Sequence, residues 1–248
     1  MKFQSLYTNN QISQCRYGMS RLSFRGPAKS LAQPYVSFLG GTQTFGKGIS
    51  VPFSERVEKR LGQTCVNFGV ANASVDAFVN DPSILNLARD GAISVVEVTG
   101  AQNLSNRFYR VHPRRNDRFL QASTVLRALY PDIDFTEFDF TGHMLRTLRD
   151  RSGDRFEIVV TELQEAWTAR MKTILDHLGQ NAVLLWLRDE QLNDDVHCIT
   201  KPMVTRLAEH CIDVVEHKDE YGGGGLLSTD QHRDVGDSLA AVLGPLLK

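Results

Sequence analysis

No stretch of this sequence stays apolar for the roughly 20 residues that a membrane-spanning helix needs, so no spanning segment and no membrane partner are expected. The opening segment, MKFQSLYTNNQISQ, lacks the continuous apolar core of a secretory signal, which makes a cytoplasmic location the expectation. Cysteine is scarce: Cys15, Cys65, Cys198 and Cys211 show no paired spacing, which argues against a disulfide framework or a cysteine-rich metal module. Cys65 and Cys211 sit beside apolar runs, where a thiol behaves as a small hydrophobe. Neither sign of charge is in excess, with 28 Lys and Arg against 29 Asp and Glu and a formal net charge of -1. That balance, with no reader motif, argues against a nucleic-acid partner for the protein as a whole. The chain has no internal repeat and no low-complexity tract beyond the four glycines at 222–225.

Against these absences stands Tyr35 to Gly48, YVSFLGGTQTFGKG. The apolar run Val36 to Leu39 stops at Gly40 and Gly41. Thr42 and Thr44 follow, and then Gly46 and Gly48. A short apolar run that ends in glycine suits a buried parallel strand breaking into a tight turn. The segment is not a phosphate loop, because GGTQTFG lacks the Gly-Lys-Ser/Thr ending. Further strands are expected at Thr64 to Val70, Ile93 to Val98, Ala182 to Leu187 and Ile212 to Glu216. Helices are expected from Pro52 to Gly62, Pro82 to Arg89, Phe156 to Leu178, near Pro202 to His210, and around Val235, Leu239 and Val242. Alternation of this kind implies right-handed βαβ units and a mainly parallel sheet covered on both faces. The expected fold is a three-layer α/β/α, flavodoxin-like domain over residues 35–248, with about five parallel strands in the order 2-1-3-4-5. Residues 1–34 read as an arm lying over this domain, and residues 104–155 as an insertion rich in arginine and aromatic residues.

In an open sheet of this type ligands bind at the carboxyl ends of the strands. The loop after the first strand offers Thr42 and Thr44, the loop after the second Asn72, and the loop after the third Gly100, Gln102 and Asn103. His232, ahead of the last apolar periodicity, is placed to approach the same edge as a general base. A hydroxyl, an imidazole and amide donors are the elements that acyl transfer needs. Each also has a structural reading. Gly40 to Thr42 suits a strand-ending turn, Gln102 and Asn103 suit a turn that satisfies its own backbone, and His232, Asp230 and Thr229 suit the start of the terminal helix.

The order and context of these segments resemble the SGNH (GDSL-type) hydrolase superfamily over roughly residues 35–248. The family's Gly-Asp-Ser turn is matched by Gly40, Gly41 and Thr42, with threonine in the place of the serine. Its second block falls on Asn72, and its Gly-x-Asn-Asp block on Gly100 to Asn103, GAQN. Its Asp-x-x-His block meets Thr229 and His232, with Asp230 one residue closer than the family's spacing. What the resemblance implies is an esterase, deacetylase or acyltransferase acting on a carbohydrate or lipid-like substrate. Thr42 would be the nucleophile and His232 the base, with Asp230 as the available carboxylate, while Asn72, Gly100, Gln102 and Asn103 would surround the oxyanion. No metal or organic cofactor is implied. The replaced serine and the displaced aspartate leave a second reading open, a protein of the same fold that binds a glycan or an anion without hydrolysis.

The segment Ser105 to Phe119, SNRFYRVHPRRNDRF, interleaves arginine with aromatic residues and contains no lysine. Its plain reading is a solvated basic face. Its functional reading is that Arg107, Arg114, Arg115 and Tyr109 hold an anionic or glycan substrate, since guanidinium groups grip oxyanions and rings pack on sugars. Asp194, Asp195 and His197 lack a second ligand set at suitable spacing, so no metal site is assigned to them. Trp167 and Trp186 fall in apolar patterns and are expected in the core.

Overall fold

The computed structural model describes residues 12–189, 198–219 and 225–248; Asp194, Asp195, His197 and the glycines at 222–224 lie outside the described residues. Among the described residues the first elements are β1 (Gln14–Cys15) and β2 (Phe24–Arg25), which form an antiparallel ribbon. There follow β3 (Val36–Gly40), the one-turn helix α1 (Thr42–Phe45), α2 (Phe53–Leu61), β4 (Cys65–Gly69), α3 (Val75–Val79), α4 (Pro82–Arg89) and β5 (Ile93–Glu97). A hairpin of β6 (Tyr109–His112) and β7 (Arg115–Ala122) leads through α5 (Thr124–Leu129) and α6 (Thr141–Arg151) to the long α7 (Gly153–Leu178). The last elements are β8 (Ala182–Asp189), α8 (Lys201–Leu207), β9 (Asp213–Asp219) and α9 (Thr229–Leu246).

Five strands form one parallel sheet in the order β4-β3-β5-β8-β9, the order expected for a flavodoxin-like domain. The strands β3, β4 and β5 are buried at every position, which is why their sequences run apolar on both sides of the pleat instead of alternating. One face of the sheet packs Phe38, Val95 and Leu185 against Phe53 and Val57 of α2 and Val235, Leu239 and Leu243 of α9. The other face packs Leu39, Val96 and Leu184 against the buried stripe of α7, which runs through Phe156, Val159, Leu163, Trp167 and Met171.

The helices carry their own start and stop signals. Asp81 caps α4 by accepting the Ile84 N–H, and Pro82 fits the first turn, where no N–H is required. Helix α2 stops at Gly62, whose φ of 67° is the left-handed conformation that glycine adopts without strain. At α9 the cap is Ser228, which with Gln231 forms a reciprocal capping box, so the caps expected at Thr229 or Asp230 move one or two residues earlier.

The N-terminal segment does more than lie over the domain. Tyr17, Leu22 and Phe24 are buried, and the rings of Tyr17 and Phe24 pack 5.2 and 5.6 Å from that of Phe68 on β4. The buried Arg25 donates to the carbonyls of Phe45, Gly46, Ile49 and Ser50, and so fixes the loop that follows α1. The arginine-rich segment forms the β6–β7 hairpin, α5 and α6. Arg170 of α7 ties its base down by pairing with Asp76 and donating to the Ser105 carbonyl, while the Ser105 N–H also bonds Asp76.

Candidate functional site

The carboxyl ends of the central strands open into a cleft of about 1090 Å³. Gly41, Thr42 and Gln43 reach it from the end of β3, Ala73 and Ser74 from the loop after β4, and Thr99, Gly100, Gln102 and Asn103 from the loop after β5. Trp186, Leu187 and Arg188 of β8 and His217 of β9 line its other side, with Arg149, Phe156 and Gln164 from α6 and α7.

The turn that carries Thr42 is held by Glu97, the last residue of β5. Its Oε2 accepts the Gly41 N–H at 2.9 Å, the Thr44 N–H at 3.1 Å and the Thr44 hydroxyl at 2.5 Å. The open first turn of α1 is thus capped from a neighbouring strand. The N–H groups of Thr42 and Gln43 are left without an acceptor inside the helix. Burial pushes the Glu97 carboxyl above its ordinary range, against the opposing pull of the Thr44 hydroxyl and the Thr44 and Gly41 N–H groups. The approach is possible only because position 40 has no side chain: a Cβ there would stand closer than 3.0 Å to both Thr44 Oγ1 and Glu97 Oε2. Gly69 serves α1 from the other side, since a Cβ there would fall equally close to the backbone of Thr44 and Phe45.

Thr42 Oγ1 accepts the Asn72 N–H at 2.9 Å and lies 3.4 Å from Asn72 Oδ1. Asn72 has φ 60°, in the left-handed region that asparagine tolerates better than other side chains. The buried Asn116 of β7 supports this corner by donating its N–H to the Asn72 carbonyl and accepting the Ser74 N–H. Behind the next loop, the buried Tyr109 hydroxyl donates to the Gln102 carbonyl at 2.6 Å. Thr141 donates its hydroxyl to Asn103 Oδ1, which leaves the amide NH₂ of Asn103 for other acceptors. On the opposite flank, Gln43 clasps the segment before α9 with both ends of its amide. It donates to the Gly225 carbonyl at 2.7 Å and accepts the Leu227 N–H at 3.0 Å.

Of the residues read from the sequence, the structure gathers Thr42, Gly100, Gln102 and Asn103 along one cleft, with Asn72 bonded to Thr42. Others it places elsewhere. His232 does not line the cleft: its ring is 1% exposed, stacks on Phe53 at 5.3 Å, and accepts the Phe53 N–H on Nδ1 at 3.1 Å. Burial, together with the charges of Arg56 and Arg25, lowers its pKa to about 4. The reason is helical phase. His232 falls on the same stripe as Val235 and Leu239, which faces α2. Asp230, two positions earlier, points to solvent and pairs with Arg233 at 2.8 Å, so it does not orient His232.

The arginine expectation also shifts. Arg114 and Arg115 are exposed around the hairpin turn, and their N–H groups converge on His112 Nδ1. Arg107 pairs with Glu162 of α7 at 3.2 Å and lies over the Phe108 ring, while Tyr109 sits inside the fold. None of the four lines the cleft. The arginines that do are Arg149 and Arg188. Trp167 and Trp186 are both core as expected; Trp167 donates to the Thr99 carbonyl, and Trp186 also borders the cleft.

Sequence reading missed Glu97, Ser74, Arg149, Arg188 and His217. A signal for three of them was present. Glu97 is a carboxylate closing an otherwise apolar strand, and Arg188 and His217 sit at the carboxyl ends of the fourth and fifth strands, one residue beyond the expected boundaries.

A two-domain esterase (CEX) active on acetylated mannans, solved with mannopentaose, matches in structure with a TM-score of 0.44 and 11% identity, over 86% of this chain and 49% of that one. This chain therefore spans about half the length of that structure. No curated protein matches the sequence. The model of a family described as "Domain of unknown function (DUF6473)" matches residues 1–243, and the chain belongs to that family.

Proposed function

We propose that the cleft binds a hydroxyl-rich small molecule or glycan and holds it without hydrolysing it. The observation that carries this reading is the polar lining of the cleft, to which Thr42, Gln102 and Asn103 all contribute. The Asn103 amide oxygen accepts from Thr141, and its NH₂ is left to donate to a ligand's oxygen. Against turnover stands the setting of Thr42. Among the described residues its hydroxyl bonds only to Asn72, whose amide does not act as a base at neutral pH.

The test is a calorimetric titration with cellobiose, mannobiose and lactose, each beside its uronic acid counterpart. Binding of at least one saccharide, weakened about fivefold by Asn103→Ala through loss of one hydrogen bond, is the expected result. Failure of the whole panel to bind overturns the reading.

A second reading is ester chemistry at Thr42, of the kind the SGNH resemblance implies. The Asn72 N–H beside Thr42 Oγ1 favours it, because donors held near a nucleophile suit a developing oxyanion. Hydrolysis of p-nitrophenyl acetate that Thr42→Ala abolishes is its signature.

A further inference from the structure

The two ends of the cleft differ in chemistry. The end built on β3, β4 and β5 offers hydroxyls and amides: Thr42, Ser74, Gln102 and Asn103. The end built on β8 and β9 offers Trp186, Arg188 and His217, and Arg149 of α6 lines the same cleft. Two carboxylates are among the lining residues, Glu97 and Glu157, and Glu97 is already committed to Gly41 and Thr44.

Arg188 is set in place from two sides. Its Nη1 donates to Glu216 Oε1 at 2.7 Å, and its guanidinium lies 4.8 Å over the Trp186 ring. Glu216 itself is not a lining residue, and one bond uses one of the five N–H donors that a guanidinium carries. A planar fork oriented in this way, with donors to spare, is suited to an oxyanion and loses little freedom on meeting one. His217 stands across the ladder from Leu187, so its ring leaves the opposite face of the sheet from Arg188 and meets the cleft from its other side.

We propose that the ligand of this cleft carries an anionic group, a carboxylate or sulfate, received by Arg188, while its hydroxyl-bearing part lies at the Thr42 and Asn103 end. The proposal rests on the binding function argued above and names the ligand class. The strand order sets its reach. Two strand spacings separate β3 from β8, so the anionic group lies roughly 10 Å from the Thr42 turn. An extended acidic saccharide meets that requirement, and a compact inorganic anion does not span it.

The saccharide panel tests this with Arg188→Gln and Arg188→Lys beside wild type, all checked for equal melting temperature. The expected result is that a uronic acid binds wild type about tenfold more tightly than its neutral counterpart. Arg188→Gln brings the acidic and neutral forms to the same affinity, and Arg188→Lys, which keeps the charge without the planar fork, restores part of the difference. Equal affinity for acid and neutral forms, or a preference that survives Arg188→Gln, overturns the anionic assignment while the binding function stands. Absence of binding by every member overturns both. Should Arg188→Gln fail to fold, Arg188→Met, which keeps the packing on Trp186 without the charge, supplies the comparison, and a preference that survives it overturns the assignment.

Discussion

His232 Nδ1 accepts the Phe53 N–H at 3.1 Å, and the two rings stack at 5.3 Å, so the imidazole works as the cap of α2 and as core. Its position inside the α2–α9 contact has a pH signature. An unfolded histidine titrates near 6.5, and this one is held neutral down to about 4. Between those values the unfolded chain binds the extra proton, so stability is full above about pH 6.5 and falls as the pH drops toward 4. The shift corresponds to roughly 3 kcal/mol. Chemical denaturation across this range should show the loss in wild type, and a flatter profile in His232→Asn, whose side-chain oxygen can accept the same N–H without titrating. An unchanged profile in His232→Asn would assign the acid sensitivity to other groups.

Glu97 positions the Thr42 turn, and its removal leaves the Gly41 and Thr44 N–H groups and the Thr44 hydroxyl without their acceptor. Glu97→Ala is expected to lower stability by about 3 kcal/mol in urea denaturation, as unpaired buried donors require. Glu97→Gln retains one oxygen at the site and should recover most of that. A loss under about 1 kcal/mol in Glu97→Ala would mean that the turn keeps its shape unaided.

Gln43 fastens the segment before α9 through Gly225 and Leu227. In Gln43→Ala the Leu227 amide loses its acceptor, and its hydrogen exchange should quicken about fivefold, the equivalent of one ordinary hydrogen bond. Exchange at the wild-type rate would show that the segment is held by its other contacts.

Arg114 and Arg115 face solvent at the tip of the hairpin, apart from the cleft. Alanine at both positions should change stability by less than about 0.5 kcal/mol and leave saccharide affinity as in wild type. A clear loss of affinity would return these arginines to the binding role that their sequence suggests.

Four strands of the parallel sheet were legible because each holds a short apolar run closed by glycine or a polar residue, and the edge strand β9, with Asp213, Glu216 and Lys218 exposed, was legible from Val214 and Val215 alone; the alternation with helices pointed to parallel pairing. Thr42, Gly100, Gln102 and Asn103 were legible for the same reason, since they follow strand ends. His232 was misread although its signal was present: it lies three residues before Val235, on the apolar stripe, and helical phase outweighs proximity in sequence to the loop. Arg188 and His217 were missed because a charged residue at the end of an apolar run reads as the place where a strand stops, whereas here the pairing continues through both. Glu97 was hidden differently. Its partners, Gly41 and Thr44, are more than fifty residues away, and only the adjacency of β3 and β5 brings them together.

The central claim is that the cleft holds a ligand beside an unactivated Thr42. Its most direct test needs no knowledge of the ligand: exposure of the folded protein to a fluorophosphonate, with intact-mass and peptide analysis of the product. An activated hydroxyl is phosphonylated, while one that bonds only to an amide is not. The account predicts that wild type and Thr42→Ser both remain unmodified at position 42. A stoichiometric adduct on Thr42 would contradict it and establish the site as a working nucleophile.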